Sequence, residues 1–413
     1  MQIKQSHVVL KKGREESLLR FHPWVFSGAV AQLVGEIAEG QVVPVCAADG
    51  TVLGYGHYQV GSIAVRMLNF GSQEHLMWNG QMWVLALDFW VERLRAALQL
   101  RQHYGLLSDA TNCYRLVHGE GDGLPGLIID VYEGVAVMQA HSAGMFLARE
   151  QITEALKVCF GSSLQAVYDK SEGTAPFKAG LDLQDGYLYR SNAAPQEGER
   201  VVLENGHRFL VDWEKGQKTG FFLDQRDNRR RVGELAKGRR VLNLFCYTGG
   251  FSIYALAAGA SEVTSVDSSK VAMEMVERNV QVNFDAQTAS RHQGLCTDAI
   301  DYLKTVPKGH YDLMIVDPPA FAKHRGALNN ALRAYQRLNA AAIERVASGG
   351  FVFTYSCSQV VDQQAFALAV FSAAAQTGRK VRILDRLNQP ADHPVNIYHP
   401  EGSYLKGLLL YVE

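Results

Sequence analysis

The stretch NLFCYTGGFS at residues 243–252 decides the fold, because it leads from an apolar run into a helical pattern through two glycines. Gly249 and Gly250 permit a tight turn, which lets the backbone approach a ligand at the start of the helix. The stretch contains neither Gly-x-Gly-x-x-Gly nor Gly-Lys-Ser/Thr, which weakens the dinucleotide-binding and P-loop interpretations. Taken alone, it is equally compatible with an ordinary connection between a strand and a helix.

The region around this stretch alternates short apolar runs with helical patterns from residue 223 to residue 413. The apolar runs lie at 241–245, 262–267, 312–317 and 350–356. Such alternation predicts an α/β fold with a doubly wound, mostly parallel, Rossmann-like sheet in this last domain.

The residues that precede this domain predict three further segments. Residues 1–75 contain short alternating runs with turn signals, which are typical of a small β-barrel or β-sandwich. Residues 76–194 mix helical and strand patterns and predict a middle α+β domain. Residues 195–222 carry Asn205-Gly206, the strongest short hairpin signal, and predict a β-hairpin linker.

The composition is that of a soluble globular protein. The 413 residues are 47% hydrophobic and 20% charged, and this length suggests roughly two to three domains. A formal net charge of −1 does not indicate nucleic-acid binding, but such binding depends on local patches. Residues 223–240 are a candidate patch, because seven basic residues accompany three acidic ones there. The basic residues are Arg226, Arg229, Arg230, Arg231, Lys237, Arg239 and Arg240.

The six cysteines predict free thiols in a reducing compartment, because none forms a Cys-x-x-Cys pair. We therefore expect no structural zinc and no other metal. No apolar run approaches the roughly 18 residues that a membrane span needs, and the first residues lack a signal-peptide pattern. The sequence predicts a cytoplasmic protein without a membrane partner.

Two acids follow the next predicted strands along the chain. Asp267 ends the run EVTSVD about twenty residues beyond the glycine turn, where an acid can accept both hydroxyls of a ribose. Alternatively, Asp267 or Ser268 caps the following helix. Asp298 could accept the exocyclic amine of an adenine, or it could cap the helix that begins at Ala299.

The third feature of this edge is Asp317-Pro318-Pro319-Ala320-Phe321, directly after the apolar run DLMIV. Two successive prolines fix an extended turn and withdraw backbone donors, which leaves carbonyl groups aimed at the cleft beside Asp317. This pattern is typical of sites for planar, nucleobase-like substrates, whereas the alternative is a rigid loop without a ligand.

The fourth feature is Ser356-Cys357-Ser358 at the end of the run GFVFTYS. A lone cysteine is usually a small buried hydrophobe. Here we expect Cys357 on the strand next to the one that precedes Asp317, at the same edge of the sheet. A thiol in that position would face the substrate that Asp317 holds, whereas Cys246 in the glycine turn would form a wall of the cofactor pocket.

Together these segments resemble bacterial large-subunit (23S) ribosomal RNA cytosine-5 methyltransferases with an N-terminal PUA domain. The resemblance spans essentially the whole chain. It is densest in KTGFFLDQRDNRR (218–230), NLFCYTGGFS, VTSVDSSK (263–270), DPPAFAK (317–323), TYSCS (354–358) and HPVNIYHPEGSYLKG (393–407). HPWVFSGAV at 22–30 resembles the segment that opens the PUA domain. Many members carry a second cysteine after the proline pair, where this chain has Ala320.

The resemblance implies S-adenosylmethionine as cofactor and large-subunit ribosomal RNA, naked or in an assembly intermediate, as partner. Cys357 and Asp317 would be catalytic. The implied cofactor-binding residues are Phe222, Asp224, Arg226, Phe245, Tyr247, Thr248, Gly249, Gly250, Asp267, Ser268, Asp298, Ala299 and Asp317. The implied substrate-binding residues are Pro318, Pro319, Phe321, Lys323 and Arg229. Tyr335, Phe321 or Tyr398 could stack on the target base.

Three alternatives remain open at this point. Transfer to a guanine nitrogen would suit Asp-Pro-Pro and needs no cysteine. A non-catalytic RNA-binding factor of ribosome assembly could keep the same fold, since fold alone does not establish activity. A nicotinamide oxidoreductase is disfavoured by the missing glycine fingerprint. The sequence also leaves open whether the protein forms a homodimer.

Overall fold

The computed structural model describes residues 6–71, 77–78, 81–82, 84, 86–176, 180–195, 198–322 and 324–413. The chain divides into two compact units. Unit 1 comprises Met1–Arg200, Val211–Phe221 and Ala391–Gly402, and unit 2 comprises Val201–Leu210, Phe222–Pro390 and Ser403–Glu413. The predicted boundary at residue 75 lies outside the described residues, and the division into four segments stays a prediction.

Unit 1 begins with a six-stranded sheet in the order β2-β6-β5-β4-β1-β3. Its strands are β1 (His7–Leu10), β2 (Trp24–Phe26), β3 (Val30–Val34), β4 (Val42–Cys46), β5 (Val52–Tyr58) and β6 (Ile63–Phe70), and helix α1 is Glu16–Leu19. Alternate residues such as Val43 and Val45 point into one hydrophobic core with Leu18. The predicted small β domain is confirmed. A separate pair of short strands, β7 (Met77–Trp78) and β8 (Gln81–Met82), follows.

A second sheet of unit 1 has the order β13-β12-β11-β10-β9 and packs against helices. Its strands are β9 (Cys113–His118), β10 (Leu127–Tyr132), β11 (Val135–Ala140), β12 (Ala166–Asp169) and β13 (Gly186–Arg190). The helices are α2 (Leu87–His103), α3 (Ala143–Leu147) and α4 (Arg149–Phe160). Residues 145–160 carry one continuous helical pattern, but the structure interrupts it at Ala148, where ψ is −1°.

Residues 391–402 belong to unit 1, although the sequence analysis placed them in the last domain. A buried charge network explains this placement. Arg101 is 1% exposed, pairs with Asp122 and donates to the Asp392 carbonyl at 2.8 Å. The Asp392 carboxylate accepts from the Arg115 backbone N–H at 3.0 Å. Such long-range pairing has no signature in local sequence.

Unit 2 is built on a seven-stranded sheet in the order β18-β17-β16-β19-β20-β22-β21. Its strands are β16 (Arg240–Leu244), β17 (Glu262–Asp267), β18 (His292–Cys296), β19 (Leu313–Val316), β20 (Gly350–Ser356), β21 (Val381–Leu387) and β22 (Lys406–Val412). The first five are parallel, and β22 runs antiparallel to both of its neighbours. The predicted doubly wound sheet is confirmed. Strand order reverses between β16 and β19, the position where such sheets bind ligands.

The helices of unit 2 connect these strands. They are α5 (Arg226–Ala236), α6 (Gly250–Ala257), α7 (Lys270–Asn283), α8 (Ala286–Ala289), α9 (Ala299–Thr305), α10 (Leu328–Arg345) and α11 (Gln363–Thr377). The predicted hairpin is also present, as β14 (Glu199–Glu204) and β15 (His207–Asp212) with Asn205 and Gly206 at positive φ between them. Across the described part of the chain, no helix has both the length and the apolarity to cross a membrane.

Two arginines of helix α5 do not contribute to the basic surface that its composition predicts, because they are buried, whereas Arg230 is exposed. Arg226 and Arg229 are 1% and 2% exposed, and Arg229 donates to both carboxylate oxygens of the fully buried Glu204 at 2.8 and 2.7 Å. Arg231 pairs with Glu234, and Arg240 pairs with Asp312. The sequence does not distinguish arginines that hold a fold together from arginines that contact phosphates, because both kinds carry the same charge.

Replacing Glu204 by Gln should lower the free energy of unfolding by about 3–5 kcal/mol, because it leaves Arg229 as a buried charge without its counter-ion. Urea denaturation followed by circular dichroism measures this change. Glu234→Gln is the matched control, since it breaks an exposed pair on the same helix and should cost less than about 1 kcal/mol. Equal losses in the two variants would contradict the assignment.

Candidate functional site

The turn after β16 holds three residues in the left-handed region. Phe245, Tyr247 and Gly249 have φ values of 58°, 48° and 81°. Backbone strain of this kind persists only where the surroundings enforce it, and it concentrates at ligand sites. The enforcing bonds run from the Cys246 N–H to the Val266 carbonyl at 3.1 Å and from the Gly249 N–H to the Cys246 carbonyl at 2.8 Å.

The two glycines of this turn have different requirements. Gly249 precedes α6 with a positive φ, and a Cβ there would also lie 3.1 Å from Val276. Gly250 begins the helix, and a Cβ there would lie 2.9 Å from Cδ of Arg229. The turn therefore brings the N-terminus of α6 to the carboxyl edge of the sheet, where the first N–H groups of the helix can bind an anionic group.

Asp267 ends β17 beside this turn. Its Oδ2 accepts from the Tyr247 N–H at 3.0 Å, and its Oδ1 accepts from the Ser269 N–H at 2.9 Å. The cap of α7 is Ser269, whose Oγ accepts from the Ala272 N–H. The alternative prediction that Asp267 or Ser268 caps this helix is therefore wrong, because the cap lies one residue after Ser268. Asp267 is half-buried and braces the glycine turn.

Asp298 caps α9, as one of the two sequence interpretations predicts. Its Oδ1 accepts from the Ile300 and Asp301 N–H groups, both at 2.9 Å. The side chain is exposed, and the neighbouring Ala299 is buried. Both capping bonds go to Oδ1 of Asp298. They orient the carboxylate, and neither of them involves Oδ2.

Residues 223–226 (LDQR) lie at the same edge of the sheet as Asp317. Residues Leu223–Gln225 form a 3₁₀ turn, and Nε2 of Gln225 donates to Oδ2 of Asp317 at 2.9 Å. Oδ2 of Asp224 accepts from the Tyr404 hydroxyl at 2.7 Å. The ring of Phe222 meets the ring of Tyr247 edge to face, with centroids 5.0 Å apart. Sequence reasoning did not single out Gln225 as the partner of Asp317.

The two predicted catalytic residues follow neighbouring strands. Asp317 comes directly after β19, Cys357 comes directly after β20, and these strands pair in parallel. The predicted adjacency is confirmed. The hydroxyl of Ser358 donates to the Ala322 carbonyl at 2.6 Å, which ties the turn after β20 to the loop after Asp317. Cys357 itself is half-buried.

A lysine that the sequence analysis did not single out lies beside the cysteine turn. Lys406 begins β22 and pairs in register with Ser356. It is 4% exposed, and its Nζ donates to the Ser358 carbonyl at 2.6 Å. Burial lowers the pKa of Lys406 to about 8, and the nearby Cys357 and Asp362 raise it in opposition. A buried lysine thus lies beside the turn that carries Cys357.

The loop after Asp317 presents a mixture of buried and accessible side chains. Pro318 is buried, Pro319 is exposed, and Phe321 is half-buried with its ring 4.8 Å from that of Tyr335. Tyr335 is fully buried, and its hydroxyl accepts from Oγ of Ser356 at 3.0 Å. The prediction that Tyr335 could stack on a base is therefore wrong. Lys323 lies outside the described residues.

The remaining predicted site residues support the turn from behind. Thr248 is buried, and its carbonyl accepts from Nδ2 of Asn279 at 2.9 Å. Oδ1 of Asn279 accepts from the Leu210 N–H at 2.8 Å, so this side chain links the turn to β15. Cys246 packs with Met273 and Val276, as expected for a wall residue.

Comparison with known proteins fits this arrangement. Residues 162–410 match the family described as S-adenosylmethionine-dependent methyltransferase, and residues 8–70 match a PUA-like domain. Ribosomal RNA large subunit methyltransferase I of Aeromonas salmonicida is 39% identical over 406 residues, which cover 98% of each chain. The protein of that name from Escherichia coli is 36% identical over 408 residues, which cover 97% of this chain and 98% of its own.

Solved structures show the same fold. A SAM-dependent methyltransferase from Streptococcus mutans superposes with a TM-score of 0.80 at 23% identity, over 99% of this chain and 100% of that chain. A second structure, of a methyltransferase complexed with SAH, has the same TM-score and coverage at 22% identity.

Fold and site together define a protein with a PUA-like domain and a methyltransferase domain that uses S-adenosylmethionine. The chain belongs to the S-adenosylmethionine-dependent methyltransferase family, among relatives named ribosomal RNA large subunit methyltransferase I. The predicted cofactor and the predicted PUA-like domain are confirmed.

Replacing Asn279 by Ala should weaken cofactor binding about tenfold, because the glycine turn loses a buried hydrogen bond worth about 1–1.5 kcal/mol. Calorimetric titration with S-adenosylhomocysteine measures this change. Asn283→Ala is the matched control, because Asn283 lies on the same helix and bonds to β15 at Arg208 but makes no bond to the turn. An equal loss in both variants would show a general effect of α7 instead.

Proposed function

We propose that this protein transfers a methyl group from S-adenosylmethionine to carbon 5 of a cytosine in large-subunit ribosomal RNA. The observation that carries the proposal is Cys357 at the carboxyl end of β20, next to the strand that precedes Asp317. The buried Lys406 donates to the Ser358 carbonyl in the same turn. The full-length relatives with ribosomal RNA large subunit methyltransferase in their names support the choice of polymer.

The residues at the sheet edge fit the cofactor. The N-terminus of α6 offers N–H groups to a carboxylate, and the acid at the end of β17, Asp267, suits ribose hydroxyls. Asp298 would accept from the adenine amine through Oδ2, while Phe222 and Tyr247 would supply an apolar wall. When bound, the cofactor supplies an electrophilic methyl group on a sulfonium.

The chain's own chemistry begins with the thiolate of Cys357. Carbon 5 of cytosine is a poor nucleophile, so the thiolate first adds to carbon 6 and makes carbon 5 enamine-like. Asp317 would accept from the exocyclic amino group and hold the base, with Gln225 fixing the carboxylate. Carbon 5 then takes the methyl group, with S-adenosylhomocysteine as the leaving group. Water takes the proton from carbon 5, and the electron pair of that C–H bond expels the thiolate from carbon 6 and restores the aromatic ring.

Lys406 gives this site a means to favour the thiolate, since a neighbouring positive charge lowers the pKa of a cysteine. The PUA-like domain would contact the RNA phosphates, as predicted, whereas Arg226 and Arg229 of the predicted basic cluster are buried and would not. The target base must leave its stack to reach the sheet edge. Phe321, with its half-buried ring, stays a candidate to stack on it.

Replacing Cys357 by Ala should abolish methylation, because no thiolate remains to activate carbon 5. Tritiated S-adenosylmethionine with unmodified large-subunit RNA, followed by nucleoside separation, should place the label in 5-methylcytidine for the unaltered protein only. Cys159→Ala is the control, since Cys159 lies in unit 1, where it donates to the Val91 carbonyl. Label in a methylguanosine that survives Cys357→Ala would overturn the proposal.

Replacing Lys406 by Met should move the rising limb of the pH–rate profile to higher pH, because the thiolate loses a neighbouring ammonium. The deficit should shrink above about pH 8, where Lys406 itself becomes neutral in the unaltered protein. Single-turnover methyl transfer across the pH range measures this, and Lys406→Arg should restore the original profile at low pH. A uniform deficit at every pH would indicate a purely structural role.

A further inference from the structure

Unit 1 contains a cluster of two histidines and a carboxylate that the methyltransferase site does not use. His22 precedes β2, and His399 and Glu401 lie in the segment that joins unit 1 from near the end of the chain. Nε2 of each histidine lies 3.8 Å from Oε2 of Glu401. The three ligand atoms lie within 4.8 Å of one another, and no other group of three such side chains converges this closely in the described parts of the chain.

His399 is the unusual member of this cluster. Its side chain is 3% exposed, and neither ring nitrogen has a hydrogen-bond partner among the described residues. Buried polar atoms are normally paired, so an imidazole of this kind needs an explanation. Its ring is held by Trp24, with centroids 4.3 Å apart, and by His22, with centroids 5.5 Å apart. The packing therefore fixes the orientation of the His399 ring, and its nitrogens can bind a further group.

His22 is positioned through its other nitrogen. Nδ1 lies 3.2 Å from the Trp24 backbone nitrogen and 3.3 Å from the Trp24 carbonyl oxygen, so its partner depends on the tautomer. When Nδ1 carries the proton it donates to the carbonyl, and the Nε2 lone pair then faces Glu401. Metal-binding histidines are usually oriented by such a bond from the second ring nitrogen. The indole of Trp24 is fixed in turn, because its Nε1 donates to Glu120 at 2.8 Å.

We propose that His22, His399 and Glu401 bind a divalent transition-metal ion of the Zn²⁺ class. Two imidazoles and one carboxylate are a ligand set that such ions favour, with a further position for water. A tetrahedral site with bonds of about 2.0–2.1 Å sets its ligand atoms about 3.3 Å apart. The half-exposed Glu401 side chain can rotate to close the difference from 3.8 Å.

The ion would join two parts of unit 1 that are far apart in sequence. It would hold the turn at 399–401 against the start of the PUA-like domain at His22. The sequence prediction of no metal rested on the cysteine spacing, and a site made of histidine and carboxylate has no such spacing to detect. This inference does not depend on the methylated base or on the role of Cys357.

The test uses untagged full-length protein, stripped with a chelator and titrated calorimetrically with Zn²⁺. We expect one equivalent to bind, and His22→Asn or Glu401→Gln to weaken binding by at least about 10–100-fold. The control is the half-buried pair His310 and Glu262, whose nitrogen and oxygen lie 3.3 Å apart and which has no third ligand among the described residues. His310→Asn should leave the Zn²⁺ affinity unchanged.

Two further measurements distinguish binding at His22, His399 and Glu401 from binding at cysteines. Zn²⁺ should raise the melting temperature of the unaltered protein and of His310→Asn, but not that of Glu401→Gln. The absorption spectrum with Co²⁺ should lack a thiolate charge-transfer band. A thiolate band that persists in Glu401→Gln, or Zn²⁺ affinity unchanged by Glu401→Gln, would overturn the proposal and assign the binding to cysteines elsewhere. Absence of any Zn²⁺ binding would overturn it as well.

Discussion

The reversal of strand order between β16 and β19 is the constraint on which the methyltransferase unit depends. Parallel strands on both sides of the reversal end at one edge, and their connections leave in opposite directions and open a crevice there. Asp267, Asp317 and Cys357 each follow or end one of these strands. The backbone hydrogen bonds between the strands therefore place these three residues at the same edge of the sheet.

Buried polar contacts then give this edge its shape. Asn279 ties the glycine turn to β15, and Gln225 fixes the carboxylate of Asp317. The pair of Glu204 and Arg229 lies under the same turn, since Gly250 leaves room for the arginine side chain. Each of these side chains is costly to bury without its partner, so that losing one member of a pair destabilises the edge. Strained residues in the glycine turn persist because of this support.

Sequence reasoning succeeded where the signal was local. The apolar runs predicted the strands of unit 2, Asn205-Gly206 predicted the hairpin, and the position of Cys357 after its strand predicted its place beside Asp317. It failed where burial decided the outcome. Arg229 carries the same charge whether it faces solvent or Glu204, and Tyr335 has the same ring whether it lines a cleft or fills the core. No local pattern separates these cases, because the deciding partner is distant in the chain.

The sequence by itself determined the alternation of strands and helices, the short strands at the start of the chain and the order of the acids and the cysteine along the sheet edge. Hydrophobic periodicity and turn residues act over a few positions, so these features can be deduced from short stretches. Only the tertiary structure decided that residues 391–402 join unit 1, that Lys406 lies beside the Cys357 turn and that His22 meets His399. Such contacts arise when distant segments fold onto one another, and their energies come from burial and pairing that no single segment contains.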